Sequence, residues 1–407
     1  MKKRVVAAMV AAVTVCGMMT VGCGKQADSV SGTKDAVTES ESVEDADVKT
    51  TSTEDGDSSE DNDTGANQSA GDSALKGTIS VSGTDFVVDD RVIFLNGVNT
   101  PWDNWNDLGG DFDEEFWESH FAELHENGVN ASRVWISCNG DVGFTFDEDG
   151  YVTAVSDAYW EDLETLLTIA DENGIYIMAT IMSFDHFKDT NQTYENWRAL
   201  CQDSDKIDSY VDNYVIPLCE KFDSHDSLFA IDLCNEPDWI HENAEDGKLD
   251  WSDLGNLFAR EAQAIHTHSD ILVTIGFGMS KYNSSKYDGN YGSDEYLQSC
   301  YDSEDAYLDF YSPHYYEWEA PWFNFPFDKT PEEFGMEADR PVVIGEFPAS
   351  GMTSATEGSQ ELSGSECYLG LYENGWNGAF AWTSNGVDGC GSLKDFSEGV
   401  NAISEKE

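Results

Sequence analysis

The 407 residues suit one large domain plus a tail, and 40% of them are hydrophobic, enough for a sizeable core. With 80 acidic against 21 basic side chains the formal charge is −59, which repels nucleic acid, anionic lipid headgroups and polyuronates; a neutral ligand is indifferent to it, so the charge excludes partners and nominates none. The nine cysteines include no CxxC pair, which removes zinc-knuckle and thioredoxin-type motifs, while 12 Trp, 17 Tyr and 21 Phe offer flat faces that suit a sugar groove as well as they fill a core.

The chain opens on Lys2, Lys3 and Arg4, followed by an apolar run from Val5 to Val21. Thr20-Val21-Gly22-Cys23 then resembles a bacterial lipobox, with Thr20 where Leu is usual. Residues 1–23 are therefore expected to be a lipoprotein-type signal peptide, with Cys23 as the lipidated residue of a protein on the extracellular face of a bacterial cell. A short membrane helix is the other reading, but the run falls just short of a span. Membrane contact is expected only through that lipid. Residues 24–75 are rich in Ser, Thr, Asp, Glu and Gly and lack aromatics, so they cannot bury enough apolar surface to offset their chain entropy. A disordered tether is expected there.

Residues 76–407 read as one globular domain. Ile79 to Phe94 alternates around Asp89-Asp90, a hairpin pattern. Short apolar runs follow at Val92–Val98, Val129–Ile136, Ile175–Ile181, Leu228–Leu233, Ile271–Ile275, Leu308–Tyr311, Val342–Ile344 and Ala379–Trp382. Helical stretches lie between them at Phe112–Asn127, Asp157–Asn173, Ile207–Phe222, Trp251–His266 and Glu361–Asn374. Asn127-Gly128 and Asn173-Gly174 stand where a helix should stop before a strand. Strands alternating with helices predict an α/β fold, a (β/α)8 TIM barrel preceded by a short β-hairpin and the disordered N-terminal tether. A doubly wound sheet is disfavoured because no Gly-rich phosphate loop follows the first strand. Phe144–Val155, around Asp149-Gly150, reads as an inserted hairpin.

A TIM barrel carries its active site at the C-terminal ends of its strands. Strand two brings Arg133, strand four Asn235 and Glu236, strand six His314 and Tyr316, strand seven Glu346 and strand eight Trp382. Two carboxyls with an Arg, an amide, a His, a Tyr and a Trp on one rim suit glycoside hydrolysis. That reaction needs one carboxyl to protonate the leaving oxygen and another to act at the anomeric carbon. Each of these residues also has a structural reading alone: Arg133 in any ion pair, Asn235 in a turn, Tyr316, Trp382 and His314 in a core. Their convergence is what argues for a site.

From about Ile79 to Ile403 the chain resembles glycoside hydrolase family 5, the cellulase- and mannanase-like retaining barrels of clan A. Phe94-Leu95-Asn96-Gly97-Val98-Asn99 resembles the opening strand, Leu233-Cys234-Asn235-Glu236-Pro237 the acid/base motif, and Val343-Ile344-Gly345-Glu346-Phe347 the nucleophile strand. His314-x-Tyr316 and Trp382 resemble the family's His-x-Tyr pair and sugar-platform Trp. The resemblance implies a retaining endo-β-1,4-glycan hydrolase acting on a plant-type polysaccharide, β-glucan or β-mannan, by double displacement. Glu236 would be the general acid/base and Glu346 the nucleophile. Arg133 and Tyr316 would keep Glu346 ionised, and a raised pKa would keep Glu236 protonated before reaction. Asn235 would bond the substrate 2-hydroxyl, His314 would orient Glu236, and Trp382 would stack beneath the reacting sugar. The family often carries a His near the end of strand three; here the segment reads Ser183-Phe184-Asp185-His186, which makes His186 a substrate-binding candidate.

Trp102 and Trp239, in loops after strands, are candidates to line flanking subsites, as are Trp105, Asn139, Trp318 and Trp322. An exo-acting β-glycosidase on the same fold remains an alternative, as does a non-catalytic glycan-binding surface lipoprotein, which would need no acid pair. No cofactor is expected. No metal is expected either, since Asp107–Glu115 and Asp147–Asp149 lack EF-hand spacing and read as a helix cap and a hairpin turn. A monomer is expected. Cys201–Cys219 and Cys367–Cys390 bridges are both open possibilities in an extracellular setting.

Overall fold

The computed structural model describes residues 77–407. The signal peptide, Cys23 and the tether at 24–75 lie outside the described residues.

The described chain begins with three short antiparallel strands, Ser80–Ser82, Asp85–Val88 and Arg91–Ile93. The expected hairpin turns at Asp89-Asp90, both at positive φ of 49° and 63°, which is what a two-residue connection between twisted strands requires. A second turn at Gly83 makes the unit a three-stranded meander instead of one hairpin. Its buried Ile79 and Phe86 pack onto Leu95, Ala131, Met178, Phe229, Leu272, Phe310 and Val343, residues at the N-terminal ends of the barrel strands. The meander is thus a plug in the floor of the barrel.

Eight parallel strands form the barrel: Leu95–Asn99, Ala131–Trp135, Tyr176–Thr180, Leu228–Asn235, Leu272–Phe277, Ser312–Pro313, Val343–Pro348 and Gly378–Trp382. Neighbours run 6-5-4-3-2-1-8-7, and the bridges Tyr311↔Val342 and His314↔Glu346 close the gap between the sixth and seventh. The apolar run at Val92–Val98 divides between the meander and the first barrel strand. The sixth strand is shorter than its apolar run suggests and begins after it. Leu308 and Phe310 are a buried lead-in, and beyond Pro313 the pairing continues only through the His314 amide to Phe277 O at 2.8 Å and the Tyr315 amide to Glu346 O at 2.9 Å.

Between strands, the helices cover the barrel with their apolar faces. Asp157–Asn173 lies where its pattern predicts. Ser156 accepts from the amide of Tyr159 at its start, and Gly174, at φ 70°, stops it. The stretch at Ile207–Phe222 is broken into Ser204–Tyr210, a π-helical turn at Val211–Val215 and Ile216–Phe222. Gly364–Glu373 starts later than its apolar pattern because the Ser363–Glu366 capping box sets its first turn. The Phe144–Val155 insertion is a hairpin of Phe144–Phe146 and Val152–Val155. Cys201, Cys219 and Cys367 are free thiols, so neither of the two bridges considered forms. Among the described residues no helix is long and apolar enough to cross a membrane.

Candidate active site

Arg133, in the second strand, has no exposed surface. Its Nε and Nη2 donate to Asp232 Oδ2 at 2.9 and 2.7 Å, and Nη2 also donates to Asn235 Oδ1 at 2.8 Å. Nη1 donates to Asn99 Oδ1 at 3.0 Å and to Glu346 Oε1 at 2.7 Å. The guanidinium thus ties strands one, four and seven together. Burial is tolerable because two carboxylates flank the charge and its forked geometry fits both. Asp232 is held in turn by Thr180 Oγ1 at 3.0 Å and by the Gly276 amide at 2.9 Å. Position 276 must be glycine at this packing: a Cβ would stand 2.8 Å from His314 Nε2 and 3.0 Å from Arg133 Nη2.

Glu346 ends its approach to the cavity in the seventh strand. Oε1 takes the Arg133 bond and Oε2 accepts from the Tyr316 hydroxyl at 2.7 Å. Burial pushes its carboxyl above the usual range, while His314, Arg133 and the Tyr316 hydroxyl pull it back.

Glu236 follows the fourth strand directly, with φ 48° and ψ 55°, a left-handed conformation uncommon outside glycine. Pro237 opens the helix Pro237–Glu242, so the chain turns sharply at Glu236 and aims its side chain into the cavity. Oε2 accepts from Trp239 Nε1 at 2.8 Å, and Oε1 lies 3.1 Å from His314 Nδ1. Only 15% of the side chain is exposed. Burial raises its pKa to about 7, with Asp185 adding to the rise and Trp239, Arg133 and Lys188 opposing it. Desolvation, more than the neighbouring glutamate, is the dominant cause.

His314 links the two glutamates: Nδ1 is 3.1 Å from Glu236 Oε1 and 3.5 Å from Glu346 Oε2. Burial lowers its pKa to about 4, so the ring is neutral at ordinary pH. One oxygen of Glu236, one of Glu346 and a His314 nitrogen all lie within 4.8 Å of one another.

Trp382 is one wall of an aromatic cluster on this rim. Its ring centroid is 5.7 Å from Trp135 and 6.1 Å from Trp102, and Trp102 meets Trp105 edge-on at 4.7 Å. The Trp382 indole lies near enough to the Asp388 carboxyl to oppose the rise that burial gives it. On the Glu236 side, Trp239 and Trp318 are 5.9 Å apart, and Trp322 is 64% exposed.

The sequence-predicted residues Arg133, Asn235, Glu236, His314, Tyr316 and Glu346 therefore meet in one network, with Trp382, Trp102 and Trp239 around it. His186 does not join them. It has no exposed surface, Nε2 pairs with Ser137 Oγ at 3.1 Å, Nδ1 accepts from the Ser183 amide at 3.2 Å, and its ring packs edge-on against Trp197. It braces the loop after strand three from inside. Asn99, Asp232 and Trp135 were not singled out from sequence. A charged Asp232 inside the buried run Leu228–Asn235 is the signal that could have found it.

The family model of Cellulase (glycosyl hydrolase family 5) matches residues 88–385. The chain belongs to glycosyl hydrolase family 5. This family 5 chain is 28% identical over 345 residues to a mannan endo-1,4-beta-mannosidase of Cryptopygus antarcticus, covering 77% of this chain and 86% of that one. It is 25% identical over 336 residues to a mannan endo-1,4-beta-mannosidase of Mytilus edulis, covering 76% and 88%. Its fold is that of the endo-1,4-beta-mannanase from Eisenia fetida, with a TM-score of 0.70 at 20% identity, covering 81% of this chain and 96% of that one.

Proposed function

We propose that this glycoside hydrolase cleaves β-1,4-mannan within the chain and with net retention, Glu346 being the nucleophile and Glu236 the general acid/base. The observation that carries the roles is the contrast between two carboxyls whose oxygens approach within 4.8 Å. Glu346 has both oxygens occupied by donors that favour the charged form, Arg133 and Tyr316. Among the described residues Glu236 has no cation within hydrogen-bond reach, only the Trp239 indole and a neutral His314 nitrogen, and burial holds its pKa near 7. Different environments for paired carboxyls separate the acid from the base. Separation of this order suits retaining chemistry, where carboxyls stand about 5–5.5 Å apart, better than the roughly 6.5–9.5 Å of inverting sites. The mannan assignment is supported by the activities named for the Cryptopygus and Mytilus relatives.

In the first step a Glu346 oxygen attacks the anomeric carbon as its bond to the leaving oxygen breaks, and Glu236 gives that oxygen its proton. In the second, Glu236 takes a proton from water, the water oxygen attacks the same carbon, and Glu346 leaves as carboxylate. Two inversions give retention. Asn235, pinned by Arg133, offers its amide hydrogens to the sugar 2-hydroxyl. Neutral His314, in the tautomer with hydrogen on Nδ1, donates toward Glu236 and favours its charged form in the second step. Trp382 supplies the stacking face.

Incubation with mannan, a soluble cellulose derivative and mixed-linkage glucan tests the proposal. Expected are short manno-oligosaccharides of several lengths from mannan, whose newly formed reducing ends are β by NMR before mutarotation. Release of mannose alone from chain ends would make the enzyme exo-acting. Initial α product would refute retention.

The same reading takes Cys23 as a lipid-bearing residue on the outer face of a bacterial cell, residues 24–75 as the tether, and the domain as a monomer. Its support is the basic start, the apolar run and the Gly22-Cys23 pair. Cys23→Ala should move the protein out of the membrane fraction, and mass spectrometry of the parent should find lipid on Cys23; an unmodified Cys23 ends this reading.

A further inference from the structure

Two acidic side chains that the steps above leave unused lie behind Glu236. Asp238 and Glu319 have no exposed surface. One oxygen of each has a defined task. Asp238 Oδ2 accepts from the Gly278 amide at 2.5 Å, and Glu319 Oε1 accepts from the Tyr316 amide at 3.1 Å. The other oxygens, Asp238 Oδ1 and Glu319 Oε2, are buried without a hydrogen-bond partner, as is the hydroxyl of Ser280. Asp238 is the nearest-acting acidic neighbour of Glu319, and the Ser280 amide faces the same carboxyl.

Both amides held in this way belong to the catalytic geometry. The Glu236 amide donates to Gly276 O at 2.7 Å, and Gly278 returns a bond to Asp238, so the turn 236–238 is stapled to the end of strand five at two points. That clasp surrounds the left-handed Glu236. The fit is close: a Cβ at Gly278 would stand 2.9 Å from Asp238 Oδ2 and 3.0 Å from Glu236 Cδ. Glu319 does the corresponding work on the other wall. It fixes the backbone of Tyr316, whose hydroxyl donates to Glu346.

An ionised carboxylate with a naked oxygen in a dry site is costly, and removing its charge by protonation is the usual outcome. Protonation turns the orphan oxygen into a hydroxyl donor. Glu236, Lys281 and Tyr282 face Asp238, and Glu236 and Tyr315 face Glu319. Lys281, the cation among them, is engaged by Glu242 at 2.5 Å. Burial, reinforced by the neighbouring acids, pushes both carboxyls well above the usual range.

We propose that Asp238 and Glu319 are positioning residues that work as uncharged carboxylic acids, one clamping the Glu236 turn and the other clamping Tyr316. The proposal rests on the reading of Glu236 as acid/base. Ionisation of either would place a like charge beside Glu236 and leave a bare anionic oxygen in a dry site, so the arrangement is kept at least cost while both stay protonated.

The test compares Asp238→Asn, Glu319→Gln, Asp238→Ala and Glu319→Ala with the parent, by kcat and KM on mannan against pH. Infrared spectra of the protonated-carboxyl stretch are recorded at neutral pH. The amide variants keep the accepting oxygen and cannot ionise. They are expected to hold kcat about tenfold or more above the alanine variants, the order expected from leaving a buried amide unpaired, with KM little changed. Their alkaline limb of kcat/KM is expected to stay at the parent's, because an amide and a protonated acid place the same zero charge beside Glu236, whereas a limb moved to lower pH would show that the parent's acids are ionised and overturn the proposal. Each amide substitution should diminish the protonated-carboxyl band of the parent. A parent without that band, or amide variants as slow as the alanine ones, overturns the proposal, as do alanine variants that match the parent. If the alanine variants fail to fold, the infrared bands and the alkaline profiles of the amide variants decide alone. Glu236→Ala, assayed on an activated aryl mannoside with azide, is the separate control: failure of azide to restore turnover there refutes the role of Glu236, while the infrared bands still judge the pair.

Discussion

The indole nitrogen of Trp239 donates to Glu236 Oε2 at 2.8 Å, three residues along the same turn. An N–H donor favours the charged carboxylate, so this bond works against the burial that holds Glu236 near 7. Trp239→Phe keeps the ring and removes the donor. The Glu236 pKa should rise, and the alkaline limb of kcat/KM, which reports loss of the acid form, should move to higher pH. A limb that stays put or moves to lower pH would show that Trp239 acts as a sugar wall alone.

The roles of the two glutamates separate by rescue chemistry. Glu346→Ala should abolish turnover of every substrate. Glu236→Ala should still form the glycosyl-enzyme from a substrate with an acidic phenol leaving group, and then stall. Azide needs no general base, so it should restart Glu236→Ala and give the β-glycosyl azide, whereas Glu346→Ala could at most give the α-anomer. On polysaccharide, loss of acid/base help should cost on the order of 10²–10⁴-fold. The assignment is falsified if the anomers come out reversed.

Arg133 is expected to serve stability and, on the proposed reading, catalysis together. Its bonds to Asp232 and Glu346 are fully buried, so Arg133→Ala leaves two carboxyls without their cation. Destabilisation of about 3–5 kcal/mol in denaturant unfolding is expected, with kcat lower by roughly 10²–10³-fold in whatever folds. A variant that unfolds like the parent would mean that the charge network is dispensable.

The buried histidines set the acid limit of stability. Burial holds His186 at about 3, against 6.5 for an exposed imidazole. Between those values the unfolded chain binds a proton that the folded chain refuses. The contribution is therefore complete above pH 6.5, shrinks as pH falls, and amounts to roughly 2 kcal/mol lost by pH 5. His186→Gln should flatten the fall of unfolding free energy between pH 6.5 and 4 relative to the parent. An unchanged slope would show that His186 is protonated in the folded protein.

Much of the barrel was legible because its signals are local. Ser156 and Gly174 mark both ends of one helix, and five of the eight apolar runs lie on or within two residues of the strands they predict. The sixth strand was misplaced because Leu308 and Phe310 are buried without being paired, and burial leaves the same apolar mark as pairing does. The rim residues were readable because strand ends in this architecture point to one face. His186 has the right residue type near the end of a strand, but a 3-10 turn at Phe184–Phe187 rolls it inward against Trp197, and no pattern in sequence reports that rotation. Asp238 and Glu319 escaped notice for a related reason: an acidic residue beside a catalytic loop looks solvated until its burial is known.

The plugged floor gives the barrel a single mouth. Tyr176 donates to Gly77 O at 2.8 Å beneath the strands, so residue 77 is fastened at the closed end, across the barrel from Glu236 and Glu346. Anything joined to the domain through the chain before Gly77, whether a bead, a fusion partner or a solid support, is attached on the blind side. A long polymer that approaches the groove from the open hemisphere then does not meet that point of attachment, whereas a graft placed in the loops that carry Trp102 or Trp322 would stand in its way.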